Sequence, residues 1–253
     1  MSKNKIALVT GGSRGLGKNM AIAIAKKGID LVITYNTNKE AADRVVNEIR
    51  SVGRKAAAFQ LDTGNTKLFD GFFQQVTAYL KTETGSPNFD FLVNNAGTAL
   101  YAPVTDVIEE QMDTIYNIHY KSVFFLTQKA LPFMNNEGAI INVSSGLTRI
   151  TMPGSSVYGS FKAAVETLSR YFAKELGARK IRVNVLAPGA IETDFGNGRV
   201  RDNKDINAHI AIITSLGRVG LPDDIGGVVA FLCTPDAYWI NGQRIEVSGG
   251  QAI

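Results

Sequence analysis

Tyr158 and Lys162 stand four residues apart, and Ser145 precedes the tyrosine by thirteen. On a helix, residues four apart share a face. A phenol titrates near about 10 and carries protons poorly at neutral pH, but an ammonium one turn away favours the phenolate and lowers that value. A tyrosine so placed can serve as general acid or base. A serine hydroxyl within reach can donate to a carbonyl oxygen and stabilise the charge that develops there. This trio suits chemistry at a carbon–oxygen bond, with hydride arriving at carbon and a proton at oxygen.

Positioning such a trio needs a helix and a strand end. Val157, Phe161, Ala164, Val165, Leu168, Tyr171 and Phe172 recur at helical spacing, which predicts an amphipathic helix with Tyr158 and Lys162 at the edge of its apolar stripe. At the start of the chain, IALVT (6–10) reads as a buried parallel strand running into GGSRGLG and then a helix that ends at Gly28. Gly11, Gly15 and Gly17 permit a tight turn and close backbone approach, while the helix N-terminus offers N–H groups to a pyrophosphate. The order G-x-x-x-G-x-G departs from the G-x-G-x-x-G fingerprint.

Further strands are predicted at DLVIT (30–34), KAAAFQLD (55–62), FDFLVNNAG (89–97), GAIINVSSG (138–146) and QRIEVSGG (243–250), and IRVNVLAPGAIETD (181–194) reads as a strand followed by a loop. Helical stretches lie between them: 39–53 behind the cap Asn38, 66–80, and one long stretch over 104–134. Strands alternating with helices imply an α/β fold: a single doubly wound domain over 1–253, with a seven-stranded parallel sheet and helices on both faces. Ligands of such sheets bind at the carboxyl ends of the strands. Gly11, Asp62, Asn94, Ser145 and Pro188 follow strand ends and should converge on one crevice.

Composition narrows the function classes. The 253 residues are 45% hydrophobic and 20% charged, ordinary for a globular enzyme. No apolar run approaches the ~20 residues of a membrane span, and the opening MSKNKIALVTGG breaks at glycines too early for a signal peptide, so a cytoplasmic protein without a membrane partner is expected. One cysteine, Cys233 in VVAFLC, forbids an internal disulfide, and with two histidines a metal site is not expected. The net charge of +4 is scattered rather than clustered, so no nucleic-acid partner is expected.

Taken in order, TGGSRGLG (10–17), NNAG (94–97), Ser145, YGSFK (158–162) and PGAIET (188–193) resemble the short-chain dehydrogenase/reductase family, and the likeness spans essentially the whole chain. Within it, the sequence looks like the 3-oxoacyl-carrier-protein reductase type. The resemblance implies Tyr158 as acid/base, Lys162 lowering its pKa and holding the nicotinamide ribose, and Ser145 polarising the substrate carbonyl. It implies a cofactor cradle of Gly11, Ser13, Arg14, Gly15, Leu16 and Gly17, with Asp62 and Thr63 facing the adenine. Asn94, Ala96 and Gly97 would lie beside the adenosine-side ribose, although the Asn94 amide could instead bridge two strands. Pro188, Gly189, Ile191 and Thr193 would meet the nicotinamide end. The chain departs from the family pattern where an Asn is usual: counting back from Phe124 lands on His119, with Asn117 close by. His119 is expected either to join a proton relay, adding a pH dependence near about 6.5, or to act as a helix-packing residue.

Dinucleotide sites that prefer NAD place an acid at the end of the second strand, where this chain has Tyr35 and Asn36. Arg14 and Lys39 could instead pair with a 2′-phosphate, so NADP(H) is expected over NAD(H). Residues 192–215 read as a mobile substrate lid. Leu100, Tyr101, Leu147, Arg149, Ile150 and Met152 are the other expected walls, with Arg149 as an anion contact. The expectation is an oxidoreductase reducing a ketone or 3-oxoacyl thioester, with a dehydrogenase of a steroid, sugar or small secondary alcohol as the alternative and a non-catalytic dinucleotide sensor as the rival class. The family's habit suggests a homotetramer, or a dimer.

Overall fold

The computed structural model describes residues 4–253. In chain order the first half runs β1 (Ile6–Val9), α1 (Gly15–Lys26), β2 (Asp30–Tyr35), α2 (Lys39–Ser51), β3 (Ala56–Gln60), α3 (Phe69–Thr84) and β4 (Phe89–Asn94). The second half runs α4 (Glu109–Tyr116), α5 (Ser122–Ala130), β5 (Met134–Val143), α6 (Ser156–Glu175), β6 (Arg182–Pro188), α7 (Arg199–Asp202), α8 (Lys204–Ile212), α9 (Asp223–Leu232) and β7 (Arg244–Val247). The strands form one seven-stranded sheet in the order β3-β2-β1-β4-β5-β6-β7, and every neighbouring pair is parallel. β1, β2, β4 and β6 are buried along their whole lengths, as helices covering both faces require, including the polar Asp30, Asp90 and Asn184 within them. The expected doubly wound architecture is present.

One face is covered by α1, α2 and α9, whose Met20, Ile24, Val45, Ile49, Ile225 and Val229 pack on the sheet. The other is covered by α3, α5 and α6 through Phe72, Val76, Leu126, Val165 and Phe172. The chain winds outward from β1 to β3, then returns to place β4 on the opposite side of β1. At that reversal the connections diverge to opposite faces and leave a crevice above the strand ends.

Three details differ from the sequence reading. Residues 104–108 are not helical, and the expected long helix is divided at Asn117–Lys121, a wide turn of the π type between α4 and α5. β5 begins at Met134 rather than Gly138, with a register irregularity opposite Phe89 to Phe91 and Glu137 at φ 64°. The buried face of α6 is Tyr158, Lys162, Val165, Leu168, Ser169 and Phe172, while Val157 and Phe161 are half-buried and Tyr171 is exposed. The reacting pair therefore lies on the buried stripe itself, because it faces the crevice and not water. Among the described residues, no helix is long and apolar enough to cross a membrane and no cluster of His, Cys, Asp or Glu could hold a metal ion.

Candidate active site

One crevice of about 990 Å³ opens over the carboxyl ends of β1, β2, β4, β5 and β6. Its floor starts at the glycine loop. Thr10 Oγ1 accepts from the backbone N–H groups of Asn95 (2.9 Å) and Ala96 (3.0 Å), which ties the loop after β4 to the loop after β1. Asn95 Nδ2 donates to Thr10 O at 2.9 Å. A Cβ on Gly17 would stand 2.1 Å from Gly11 O and 2.5 Å from Asn95 Nδ2, so only glycine lets the helix approach so closely. Gly15 adopts φ +53°, the left-handed region. No side chain caps α1 and no acid sits in its first turn, which leaves its first N–H groups and positive dipole end facing the crevice. These features fit a dinucleotide pyrophosphate.

Gly11, Ser13, Arg14, Gly15, Leu16 and Gly17 all line the crevice, as do Asn36, Asp62, Thr63, Ala96, Gly97, Pro188, Gly189, Ile191 and Thr193. Two expected contacts do not. Tyr35, the last residue of β2, points into the core beneath the sheet, since successive strand side chains alternate between faces. Asn94 is buried and donates to Asn142 Oδ1 at 2.8 Å and Thr127 Oγ1 at 3.1 Å, bridging β4 to β5 and α5. Lys39 is also elsewhere, paired with Asp43 at 2.7 Å on the exposed side of α2. No carboxylate stands at the end of β2, whereas Arg14, Asn36, Thr37 and Asn38 border the crevice there.

The reacting end is assembled by β5 and α6. Ser145 Oγ accepts from Leu147 N at 3.1 Å, which fixes the hydroxyl and leaves its own proton free to donate. The loop behind it is clamped: Thr148 Oγ1 lies 3.0 Å from Ser145 O and 2.8 Å from Glu166 Oε1, and Arg244 donates to that same carboxylate oxygen at 2.8 Å. Tyr158 and Lys162 are both buried in the wall of the crevice. Lys162 Nζ donates to Val143 O at 2.7 Å and lies 5.6 Å from the centre of the Tyr158 ring.

The pKa directions correct the sequence expectation. Burial raises the Tyr158 phenol, the neighbouring Tyr101 adds to this, and the Ser145 hydroxyl only partly opposes it. Burial likewise lowers Lys162 to about 7. The amine is bonded to a backbone carbonyl and is itself half-discharged near neutrality, so it does not pull the phenol down; desolvation dominates both groups.

His119 sits in the wide turn, 1% exposed. Its Nε2 is 2.7 Å from Thr98 O, its Nδ1 is buried without a partner, and its ring meets Tyr158 edge-on at 5.1 Å. Burial first, and then the Lys162 charge, lower its pKa well below the ordinary histidine value. It is neutral at physiological pH, and the expected titration near about 6.5 is absent. A Cβ on Gly97 would lie 2.7 Å from His119 Cε1, so the glycine makes room for this ring.

Tyr101, Leu147, Ile150 and Met152 line the substrate side, but Leu100 does not. Arg149 is not an anion contact. It pairs with Glu246 at 2.5 Å and donates to Gln251 O and Ala252 O at 2.7 and 2.9 Å, tying down the C-terminal residues. Sequence reasoning missed Thr10 and Asn95 of the cradle, and Phe195 and Arg199 of the lid. Strand alternation past Asn94 would have pointed to Asn95. Phe195 approaches Tyr158 at 5.9 Å and Arg199 lies over Tyr101 at 4.9 Å, but nothing periodic in the lid marks either residue.

Residues 11–252 match the family model described as Enoyl-(Acyl carrier protein) reductase. The chain is 37% identical over 257 residues to a hydroxynaphthalene reductase-like protein, Arp2, of Metarhizium anisopliae, covering 97% of this chain and 94% of that protein. Among solved structures it resembles the promiscuous reductase LugOII, which catalyses keto-reduction at C1 during lugdunomycin biosynthesis (TM-score 0.94, 36% identity, 99% of each chain covered). It also resembles the angucycline C-6 ketoreductase LanV with bound NADP (TM-score 0.93, 36% identity, 98% of this chain and 95% of that one).

Proposed function

The chain belongs to the short-chain dehydrogenase/reductase family, and from that premise we propose that it is an NADP(H)-dependent reductase of ketones carried on flat fused-ring molecules. The observation that carries this is the junction, in one crevice, of an uncapped glycine-lined helix start with a buried phenol beside a free serine hydroxyl. Arg14, with no acid at the end of β2 to oppose it, would hold the 2′-phosphate. Lys162 would hold the nicotinamide ribose. A bound reduced nicotinamide supplies the hydride.

The residues of the chain do the rest. Ser145 Oγ–H donates to the ketone oxygen, fixing its position and stabilising the negative charge that grows there as the carbon gains hydride. Tyr158 gives its phenolic proton to that oxygen, completing the alcohol. Tyr158 enters this step protonated, as burial favours the neutral phenol. Lys162, bonded to Val143 O, would return a proton to the phenolate, and His119 Nδ1 would pass protons onward. Tyr101, Phe195, Met152, Leu147 and Ile150 give the substrate side broad apolar and aromatic walls, which support a planar polycyclic ketone over an extended acyl chain. Exposed Tyr171 and Phe125, on two adjoining helices, support a homo-oligomer, which the family habit makes a tetramer; mass in solution tests it.

The test is turnover of a panel of fused-ring ketones, 3-oxoacyl thioesters and secondary alcohols with NADPH or NADP, alongside Tyr158→Phe. The expected outcome is reduction of the ring ketones, with Tyr158→Phe losing about 10²–10⁴-fold in kcat while still binding cofactor. Cofactor binding with no turnover of any panel member would leave a dinucleotide-sensing protein as the better reading.

A further inference from the structure

The lid brings one unpaired cation to the substrate wall. Arg201 takes Asp194, ahead of the short helix α7, and Asp202, the last residue of that helix. Its neighbour Arg199 lines the crevice and forms no ion pair among the described residues, and Asp205, the next acid along the wall, does not engage it. Arg199 Cζ instead lies over Tyr101, 4.9 Å from the ring centre. Gly196 makes this approach possible: at φ +60°, a Cβ there would stand 2.9 Å from Tyr101 Cε2. The Tyr101 ring is therefore held against the lid backbone and capped by a guanidinium, and its own phenol, raised by burial, remains neutral.

Tyr101 lines the crevice together with Tyr158, and its phenol adds to the upward shift of the Tyr158 hydroxyl. Arg199 lines the same crevice as Tyr101, Tyr158 and Ser145, and the two acids that also line it there, Asp194 and Asp205, leave it unpaired, Asp194 being held by Arg201. A planar guanidinium on an aromatic shelf pairs well with an anionic oxygen attached to a flat ring, because the ring stacks where the charge pairs. We propose that Arg199 is a specificity-determining substrate anchor, and that the ketone substrate is a fused aromatic ring system bearing an anionic oxygen, a phenolate or a carboxylate, on the side away from the reacting carbonyl. This deepens the fused-ring ketone reading and rests on it.

The test is equilibrium binding to the full-length protein saturated with NADP, using matched probes. One pair is 2-hydroxy-1,4-naphthoquinone, an anion at neutral pH, and its neutral 2-methoxy ether; the other is 2-naphthoate and its methyl ester. The wild type should bind at least one anion about tenfold or more tightly than its neutral partner. Arg199→Gln should abolish that preference while leaving the neutral probe within about twofold, and Arg199→Lys should keep part of it without restoring the full preference. The pair with the larger loss identifies phenolate or carboxylate as the source. Equal weakening of charged and neutral probes by Arg199→Gln would reduce Arg199 to a lid-packing residue, and unchanged preference would remove it from recognition; either overturns the proposal. Neither readout requires turnover, so failure here is distinct from failure of the panel with NADPH, which tests the reductase itself.

Discussion

The crevice has two sides built on opposite principles. The side that faces cofactor and carbonyl is made from strand ends and helix starts whose geometry leaves no freedom: Gly17 cannot carry a Cβ, Thr10 locks two loops together, and Ser145 is braced by Thr148, Glu166 and Arg244. The side made by residues 192–215 is held by surface ion pairs of Arg201, the Arg199–Tyr101 contact, hydrogen bonds from Asn207 to Glu192 and Val200 O and the buried Ile210, with Phe195, Arg199 and Asp205 exposed along it. The contrast teaches that the glycine floor is set by backbone packing, where a change is costly, while residues 192–215 meet the crevice through exposed side chains, where a change is cheap.

The contrast can be broken where it is strongest. Gly17→Val drives a branched side chain into Gly11 O and Asn95, and should weaken NADPH binding by about a hundredfold or more, read by fluorescence titration, or prevent folding, read by circular dichroism. Binding within about threefold of wild type would show that the floor yields after all. His119→Asn lies one layer back. With the ring neutral and its Nδ1 unpartnered, the expected result is a drop of about tenfold in kcat with KM for cofactor held and no displaced pH limb near about 6.5. Unchanged rates and pH profile would make it a packing residue.

Lys162 gives a milder test by linkage. Its folded pKa of about 7 lies below the ordinary lysine value of about 10.4, so between those pH values the unfolded chain binds the extra proton. Stability of the cofactor-free protein should therefore rise with pH from about 7 toward 10, by at most roughly 1.4 kcal/mol per unit from this group, and flatten below about 7 where both states are protonated. Lys162→Met should remove that slope in denaturant titrations; a slope left intact would assign it to another group. Smallest of all is Arg201→Gln in the lid, where exposed ion pairs add little: kcat/KM for a neutral ring ketone should stay within about twofold. A larger loss would mean that the cover is as rigid as the floor.

The sequence made the fixed side legible and the loose side opaque for the same physical reason. Strand β1 is an unbroken apolar run, β4 and β6 are apolar runs interrupted by isolated polar residues, the glycines answer to steric rules, and a Tyr and Lys four apart must share a helix face, so local pattern determined their place. Tyr35 went astray because a single step along a strand reverses a side chain's direction, and the end of a strand cannot be located to one residue from its composition, while Asn94 took the strand-bridging role that its amide also allowed. The pKa of Tyr158 depends on how deeply α6 sinks its polar pair, which spacing does not reveal. Arg149 and Arg199 look alike as isolated cations; only the fold brings Glu246 to one and leaves the other free.

The wide turn at Asn117–Lys121 has a consequence for how this wall of the molecule can vary. An extra residue in one turn rotates everything after it, so α4, which turns Thr114 toward the ligand, and α5, which sinks Val123 and Leu126 into the sheet, are phased independently. A straight helix would make one stripe serve both tasks, and any repacking of the core would twist the ligand wall with it. The joint separates them, and His119, the residue at its centre, is buried between the two with its ring edge-on to Tyr158.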